Sequence, residues 1–515
     1  MTTAHTKNST QNQGIEWNIH YDSICSLFTH PKQLAAVAIQ NGHTPVDMAH
    51  ARILELGCAT GGNLTPIAAS LPSSECIGID PFVEQIDTAR RRANNAQITN
   101  VKYLPLGVSD LDQIEGKFDY IIAHGLYSWI PEQYQKDTLQ LCREKLSPQG
   151  IAYISYNTYP GWHQSKMLRH LLKWQNKNRS KRQVLKVDDD LEQIREARSL
   201  INVFGRYSQP SIRNFYAKKS KEMERLPDWY IVHEYLLEHN YPFYFEEFID
   251  HLSEYGLTQM SDCTSNVNLT SHFLQDHLFK EISLINDDYV AIEQGLDFLC
   301  HRSMRRSLVT HQNLNQSTKK WKRPTLWGDD SMSEYNDQLF VAAPYKAPTH
   351  LSRLNETSQY IAHNGKANFE VNSPEKHSIM LLLSSTWPNA LSLETLITQS
   401  IKLLKEYEHN LKNNLKSQVV YAINELIFRG IIYEPTLGQI WSNPSRINSE
   451  KNQMMPWLAC EENRLFTNVT NRYHDSIQIN PKELMQIWDK YNDTHPDDFV
   501  KTKEWQRSHT LGLIY

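Results

Sequence analysis

The stretch Ile53-Leu-Glu-Leu-Gly-Cys-Ala-Thr-Gly-Gly-Asn63 decides the fold, because an apolar run here leads straight into a glycine-rich turn. The apolar run is typical of a buried strand, and the residues near 63–71 are typical of a helix. Gly57 and Gly61 occupy positions where the backbone must turn sharply and approach a ligand, since a side chain there would clash. The stretch therefore predicts a strand, a tight ligand-binding loop and a helix.

The spacing of the glycines separates two kinds of nucleotide site. The loop reads Gly-x-x-x-Gly-Gly, whereas a nicotinamide or flavin site shows Gly-x-Gly-x-x-Gly so that a pyrophosphate can sit on the helix N-terminus. A cofactor with an amino-acid half instead needs room at the loop and a carboxylate just before it, here Glu55. Asp80 ends the next strand, where its two oxygens can accept both hydroxyls of a ribose. Together these features predict an S-adenosylmethionine site.

Further cofactor contacts are expected at the same end of the strands. A ring after the second strand can pack on the adenine face, and the loop after the third strand can meet the adenine amino group. The end of the fourth strand lies where ligands gather in open α/β sheets. The predicted cofactor-binding residues are Glu55, Gly57, Ala59, Gly61, Asn63, Asp80, Pro81, Phe82, Ser109, Asp110, His124 and Gly125.

Short apolar runs alternate with helical stretches from Trp17 to about Gly161, which is typical of βαβ units and a parallel sheet. We predict an α/β protein with a Rossmann-like class I methyltransferase sheet and a helical insertion. Residues 256–262 and 306–311 are expected to complete the sheet as an antiparallel pair. Candidate strands lie at 52–57, 75–80, 101–104, 118–123 and 150–155, and candidate helices lie near 63–71, 82–95 and 132–146.

The C-terminal part is predicted to be an α+β module of winged-helix-like type. One helix carries an apolar face at helical spacing, and residues 431–433 are expected to follow it as a strand. That face consists of Val419, Ala422, Ile423, Leu426 and Ile427. The predicted domains are a disordered tail at 1–16, the methyltransferase core at 17–161, a helical insertion or regulatory domain with the last strands at 162–312, a linker and irregular segment at 313–373, and the winged-helix-like domain at 374–515.

Composition and charge narrow the class of protein. A net charge of -5 over 515 residues argues against a dedicated nucleic-acid binder, and the basic run at 166–186 is read as a solvated helix face. No run approaches the roughly 20 apolar residues that a membrane span needs. The seven cysteines are scattered and form no metal-ligand pattern. We therefore expect a cytoplasmic protein with no metal, no membrane span and no nucleic acid.

Aromatic residues cluster after the fourth and fifth strands. Methyl transfer from a sulfonium is an in-line displacement that requires positioning and the exclusion of water. A lysine stem and its ammonium head both favour aromatic walls, and an asparagine carbonyl can orient an amine. The alternative is that these aromatics only pack the insertion against the sheet. The predicted catalytic residues are Tyr127, Tyr156, Asn157 and Tyr159, and the predicted substrate-binding residues are Trp129 and Trp162.

Longer motifs run through most of the chain. They are Tyr21-Asp22, Thr29-His30-Pro31, Glu55–Asn63, His124–Pro131, Ser155–Trp162, Val232–Leu236, Asn240–Phe245 and Leu296–Arg302, with looser matches at Leu383–Leu396 and Asn468–His474. They resemble bacterial class I S-adenosylmethionine-dependent methyltransferases that carry a methyltransferase regulatory domain, among them the rickettsial-type protein-lysine methyltransferases. Ile24–Phe28 departs from the proline- and aromatic-rich approach of that family. The resemblance implies a middle domain beside the active site and a C-terminal module for substrate or partner contact.

Three functions remain open on the sequence. The first is methylation of a protein on lysine, with a cell-envelope protein as one acceptor and a dimer as one oligomeric state. The second is methylation of a small molecule. The third is a regulatory protein that senses the cofactor and acts through its C-terminal module. The helix at 416–429 carries Lys416 and Arg429 but also Glu425, so it lacks the basic face that phosphate contacts need, and protein contact is favoured there.

Overall fold

The computed structural model describes residues 23, 25–179, 190–285, 288–312, 321–351, 353–363, 365, 367–407, 414–440, 467–470, 476–479 and 486. The expected tail at 1–16, the motif Tyr21-Asp22 and most of the chain after 440 lie outside these residues. The described part divides into two compact units. The smaller unit holds residues 161–241, and the larger unit holds residues 23–160 together with the chain from residue 242 onward.

The larger unit is built on a seven-stranded mixed sheet in the order β3-β2-β1-β4-β5-β7-β6. Strands β1 to β5 run parallel, while β7 pairs antiparallel with both β5 and β6. This arrangement confirms the predicted α/β class, including the antiparallel pair that closes the sheet. The strands are β1 Arg52–Leu56, β2 Glu75–Ile79, β3 Val101–Leu104, β4 Phe118–Ala123, β5 Leu146–Asn157, β6 Leu257–Asp262 and β7 Met304–His311.

Both faces of this sheet are buried, as expected for parallel strands covered by helices. Ile53 of β1 belongs to one apolar cluster and Leu54 to the other, because successive side chains point to opposite faces. One cluster continues into helices α1 to α3, and the other into α4 and α9. These helices are α1 Pro31–Gln40, α2 Leu64–Ser70, α3 Val83–Asn95, α4 Glu132–Lys145 and α9 Phe245–Glu254.

The smaller unit is helical and interrupts the chain between β5 and α9. Leu168, Leu172, Ile194 and Ile201 form its buried core at helical spacing. Arg169 donates hydrogen bonds to the carbonyls of Glu234 and Leu237 and so ties the first helix to the end of the unit. Its helices are α5 Trp162–Arg179, α6 Asp190–Tyr207, α7 Pro210–Arg225 and α8 Asp228–Ile231, followed by a π-helical turn at Val232–Leu236.

Four further helices lie between β6 and β7, and together with α9 they belong to the larger unit. They are α10 Ser265–Asn268, α11 Thr270–Phe273, α12 Asp276–Ile285 and α13 Tyr289–Cys300. Asp288 caps α13, since its carboxylate accepts the amides of Val290 and Ala291. Among the residues that the structure describes, no helix combines the length and apolar character required to cross a membrane.

The expected linker at 313–373 is corrected in its described part, from residue 321 onward. Trp327 is fully buried, and its indole N–H donates to Ser265 Oγ at 3.0 Å. A buried tryptophan and paired strands bury apolar surface, so this part is folded rather than a spacer. The strands are β8 Leu339–Val341, β9 Tyr345–Lys346, β10 Ser358–Ala362 and β11 Asn368–Val371.

The C-terminal module is α+β, as predicted. Three helices lie in its described part, together with a small antiparallel sheet of order β12-β8-β13, and the apolar face predicted on the third of these helices is buried. The predicted strand at 431–433 is wrong, because the amides of Ile431 and Ile432 both donate to the Leu426 carbonyl and close the helix end. The elements are α14 Pro374–Thr386, β12 Leu391–Ser392, α15 Leu393–Tyr407, α16 Leu415–Phe428 and β13 Thr436–Leu437, with a separate antiparallel pair of β14 Thr467–Thr470 and β15 Ser476–Ile479.

Candidate functional site

The loop after β1 is held in an unusual backbone conformation. Gly57, Ala59 and Gly61 have φ angles of 68°, 46° and 75°, all in the left-handed region. A Cβ on Gly61 would lie 2.7 Å from the Tyr103 hydroxyl oxygen, so only glycine fits there. Ala59 is not a glycine, and its conformation is strained. Strain of this kind concentrates where a backbone must present itself to a ligand.

Asp80 holds this strained loop in place. Its Oδ2 accepts the Ala59 amide at 3.0 Å, and its Oδ1 accepts the Phe82 amide at 3.0 Å. Burial raises the pKa of this carboxyl, against the opposing effect of the two amides. Each oxygen of a carboxylate can accept more than one hydrogen bond. The group therefore keeps capacity for donors such as sugar hydroxyls at the end of β2.

Glu55 supplies a second, more deeply buried carboxyl group next to the loop. Its Oε1 accepts Asn63 Nδ2 at 2.7 Å, whereas its Oε2 is buried without a hydrogen-bond partner among the described residues. Burial raises its pKa to about 8. Buried polar atoms are normally paired, so the open oxygen marks a place where a donor on a bound ligand would be stabilised. These residues fit a cofactor that presents an amine and a ribose.

Asn63 also holds the chain that precedes α1. Its Oδ1 accepts the Thr29 hydroxyl at 2.8 Å and the Ser26 amide at 3.2 Å. The Ser23 hydroxyl accepts the Gly62 amide, and a Cβ on Gly62 would collide with the Ser23 carbonyl oxygen. Sequence reasoning missed Ser23 and Ser26. The Thr29-His30-Pro31 motif marked the region without indicating what it contacts.

The residues expected around the adenine differ in their solvent exposure and in their hydrogen bonds. Pro81 is exposed and Phe82 is 64% exposed, so both present free surface just after β2. Ser109 donates to Asp137. Asp110 is largely used by its own turn, because its two oxygens accept the Gly107 amide at 2.7 Å and Gln113 Nε2 at 3.2 Å. The role expected for Asp110 at the adenine amino group stays a prediction.

His124 and Gly125 end β4 at the same edge of the sheet. Gly125 has a φ of 63°, and its amide donates to Ser155 Oγ at 2.9 Å. The His124 Nδ1 lies 3.0 Å from the Tyr153 hydroxyl. Burial and the nearby Arg306 guanidinium lower the pKa of His124 to about 4, so the ring is neutral near pH 7. An uncharged ring here does not repel a cationic ligand.

Two of the predicted catalytic tyrosines pack inside the protein. Tyr127 is fully buried, with its ring centroid 5.6 Å from those of Phe243 and Phe248. Tyr156 is stacked on Phe248 at 4.0 Å. Both rings belong to an apolar cluster with α9, and their predicted catalytic role stays a prediction. Packing was the alternative that the sequence left open, and these ring contacts are consistent with it.

The other predicted catalytic and substrate-binding residues differ in burial and in the groups that they contact. Asn157 is buried, and its main-chain N–H donates to Ser128 Oγ at 2.9 Å. Its side-chain Nδ2 has no hydrogen-bond partner among the described residues. Tyr159 is half-buried, 5.1 Å from the ring of Tyr244. Trp129 is half-buried on a short 3-10 turn. Trp162 belongs to the smaller unit, where its indole N–H donates to Asn240 Oδ1 at 2.6 Å.

A buried ion-pair network includes a residue of β7, the strand that pairs with β5. Arg305 of β7 pairs in register with Tyr156 of β5. Its guanidinium donates two hydrogen bonds of 2.8 Å to Asp297 and stands 4.0 Å from the Phe245 ring centroid. Arg302 donates to the same carboxylate at 2.5 Å. Sequence reasoning missed this network, although the Leu296–Arg302 motif contains two of its members.

Two family models match the chain. The one described as "Methyltransferase domain" matches residues 54–152, which span β1 to β5. The one described as "Predicted methyltransferase regulatory domain" matches residues 227–311, which span α8 to β7. The uncharacterized protein RP028 of Rickettsia prowazekii is 34% identical over 232 residues, which are 45% of this chain and 91% of that protein.

Other proteins resemble this chain along nearly its whole length. The uncharacterized protein RP789 of Rickettsia prowazekii is 27% identical over 484 residues, covering 92% of this chain and 83% of that protein. The structure of PKMT2 from Rickettsia typhi in complex with AdoHcy covers 95% of this chain and 91% of that one, at 24% identity and a TM-score of 0.75. A second PKMT2 structure, at 25% identity, has a TM-score of 0.74. The fold is therefore shared from the sheet to the C-terminal module.

Proposed function

The chain belongs to the class I S-adenosylmethionine-dependent methyltransferases that carry a methyltransferase regulatory domain, and from this premise we propose that it methylates lysine side chains of a protein. The cofactor is S-adenosylmethionine. When bound, it supplies an electrophilic methyl group. The observation that carries the cofactor half of the proposal is the pair of buried carboxyl groups, Asp80 and Glu55, beside one strained loop.

In this proposal Asp80 accepts the ribose hydroxyls and Glu55 faces the amino-acid half of the cofactor. The loop keeps its left-handed turns at Gly57 and Gly61 because a Cβ there would press on Leu126 and Tyr103, so its backbone is preformed. A preformed loop of this kind holds its ligand in one orientation, which is the main requirement of an in-line displacement. The unpaired Glu55 Oε2 supports this arrangement, because a ligand donor would satisfy it.

We assign the acceptor lysine to the carboxyl ends of β4 and β5. Asn157 would orient the attacking amine through its side-chain amide, while Tyr159 and Trp129 would flank the lysine stem. The neutral His124 ring supports the assignment, since a charged imidazole would repel an ammonium group at this edge. The resemblance to rickettsial-type protein-lysine methyltransferases also supports lysine as the acceptor.

We assign the C-terminal module to contact with protein rather than with DNA. The described basic side chains at the ends of α14 and α16 are paired with acids: Lys416 contacts Asp330, and both Lys376 and Arg429 contact Glu425, at 2.7 and 3.4 Å. Phosphate contacts need unpaired cations on one face. These pairs therefore support a protein-facing role.

Incubation of the enzyme with methyl-labelled S-adenosylmethionine and a cell-envelope protein extract tests the proposal. Labelled protein bands that yield methyl-lysine by mass spectrometry after digestion are the expected result, and Asp80→Asn serves as the inactive control. Label that appears only in small molecules would identify the runner-up, a small-molecule methyltransferase, and would end the protein-lysine proposal.

A further inference from the structure

Residues 23 and 25–40, named here the bridging segment, contact the cofactor loop at one end and the C-terminal module at the other. We propose that this segment couples the two, with Thr29 as a positioning residue that acts through Asn63 on Glu55. Events at the C-terminal module would then change the affinity for the cofactor. The inference rests on the proposed function only in taking the loop as the cofactor site.

The first contact is the hydrogen-bonded series from Thr29 to Glu55. The Thr29 hydroxyl lies 2.8 Å from Asn63 Oδ1 and 2.7 Å from the Ser26 carbonyl oxygen, so its one proton is shared between these two acceptors, and Asn63 Nδ2 donates to Glu55 Oε1 at 2.7 Å. All three side chains are buried. The Asn63 amide is therefore oriented from one side by the bridging segment and orients the Glu55 carboxyl on the other. Loss of the Thr29 hydroxyl would leave the Ser26 amide, at 3.2 Å, as the remaining donor to Asn63 Oδ1 from this segment, and so would weaken the hold on the Asn63 side chain.

The middle of the bridging segment is packed as one unit. A displacement at one end would therefore move the other end with it. His30 is fully buried, with Nε2 at 2.8 Å from Ser70 Oγ and Nδ1 accepting the Lys32 amide at 3.2 Å. The Arg306 guanidinium lies 4.7 Å from the ring centroid of Phe28. Helix α1 begins at Pro31 immediately after these contacts. The short turn and the helix therefore form one packed element rather than a loose lead-in.

The second contact is between α1 and the end of the C-terminal module. Lys32 Nζ donates to the main-chain carbonyls of Gln439 and Ile440, at 2.5 and 3.3 Å. Burial lowers the pKa of this lysine to about 8. Leu27 faces the same region across a small cavity that is also lined by Tyr433 and Ile440. A half-buried cation that is held by carbonyls loses much of its stabilisation if those carbonyls move.

Coupling of two sites is reciprocal. If residues 434–440 bias Asn63 and Glu55 through the bridging segment, then cofactor binding must also change the stability of 434–440. A partner protein that displaced these residues would weaken cofactor binding, and a partner that pressed them onto Lys32 would strengthen it. This reciprocity separates a coupling role for Thr29 from a purely structural one.

Calorimetry with S-adenosylhomocysteine on the full chain tests whether the bridging segment controls the affinity for the cofactor. We expect Thr29→Val to weaken binding about tenfold, and Lys32→Met, which lies away from the loop, to weaken it about threefold. Thr29→Ser keeps the hydroxyl and should restore affinity. The matched control is Thr138→Val on α4, where an equally buried threonine donates to the Tyr134 carbonyl within its own helix, and its affinity should equal that of the wild type.

Amide hydrogen exchange tests whether cofactor binding changes the stability of residues 434–440. S-adenosylhomocysteine should slow exchange at 434–440 in the wild type and in Thr138→Val, and should leave it unchanged in Thr29→Val. The inference is overturned if the wild type binds the ligand while 434–440 does not respond, or if Thr29→Val binds as tightly as Thr138→Val. Failure of the protein-lysine assignment would appear separately, as an absence of methyl-lysine with this coupling intact.

Discussion

The Ala59 amide donates to the Asp80 carboxylate, with 3.0 Å between N and Oδ2. The bond joins the end of β2 to the left-handed turn after β1, so one side chain both supports the strained loop and faces the space beside it. In its proposed role Asp80 would act on the ligand twice, by direct contact and by holding the backbone at Ala59.

Asp80→Ala should therefore bind the cofactor at least thirtyfold more weakly, because it removes the oxygens that we assign to the ribose together with the acceptor of the Ala59 amide. Calorimetry with S-adenosylmethionine measures the change. Asp87→Ala is the comparison, since its exposed carboxylate pairs with Arg90 on α3, and its affinity should equal that of the wild type. Equal binding by Asp80→Ala and wild type would refute the assignment of Asp80.

The strain at Ala59 predicts an unusual effect of glycine. Ala59→Gly should raise the free energy of unfolding by about 0.5 kcal/mol, because relief from the left-handed strain exceeds the added backbone entropy of the unfolded chain. Ala68→Gly, in the interior of α2, should lower it by about 1 kcal/mol. Denaturant titration compares the two. Destabilisation of similar size in both variants would show that Ala59 is unstrained.

Glu55 predicts how the stability of the ligand-free enzyme depends on pH. Its folded pKa of about 8 lies above the unfolded value of about 4.3, so the folded state binds the extra proton. The stability that this proton contributes is fully present below about pH 4.3 and is lost as pH rises through about 8.

Glu55→Gln cannot lose that proton, so its melting temperature should exceed that of the wild type more at pH 9 than at pH 6. The same variant should bind the cofactor more weakly, because the charged form can no longer face the ligand. Thermal melts at the two pH values give the first result and calorimetry the second. A constant difference between the melting curves would mean that Glu55 does not titrate in this range.

The buried network at Asp297 predicts a large loss of stability. Asp297→Asn should lower the free energy of unfolding by about 3–5 kcal/mol, because Arg302 and Arg305 would remain buried without their shared counter-charge. Glu192→Gln, in an exposed pair with Arg195, should leave the midpoint of unfolding unchanged. Equal midpoints for the two variants would show that the network is not needed for stability.

Local sequence patterns predicted those features of the protein that depend on residues close together in the chain. The alternation of apolar runs and helices predicted the sheet with its antiparallel end, and helical spacing predicted the buried face of α16. The glycine spacing with Glu55 and Asp80 predicted the cofactor loop. In each case the signal comes from backbone geometry or periodicity within a few residues, which the sequence records directly.

Only the tertiary structure decided which side chains meet. It buried Tyr127 and Tyr156 against α9, joined Asp297 to Arg305, and made Asn63 the contact between Glu55 and Thr29. Thr29 and Asn63 are 34 residues apart, and no local pattern pairs them. A buried hydrogen bond or ion pair depends on how whole elements pack, because packing excludes water and makes each partner necessary. The sequence by itself thus determined the sheet and the cofactor loop, while packing decided what holds that loop in place.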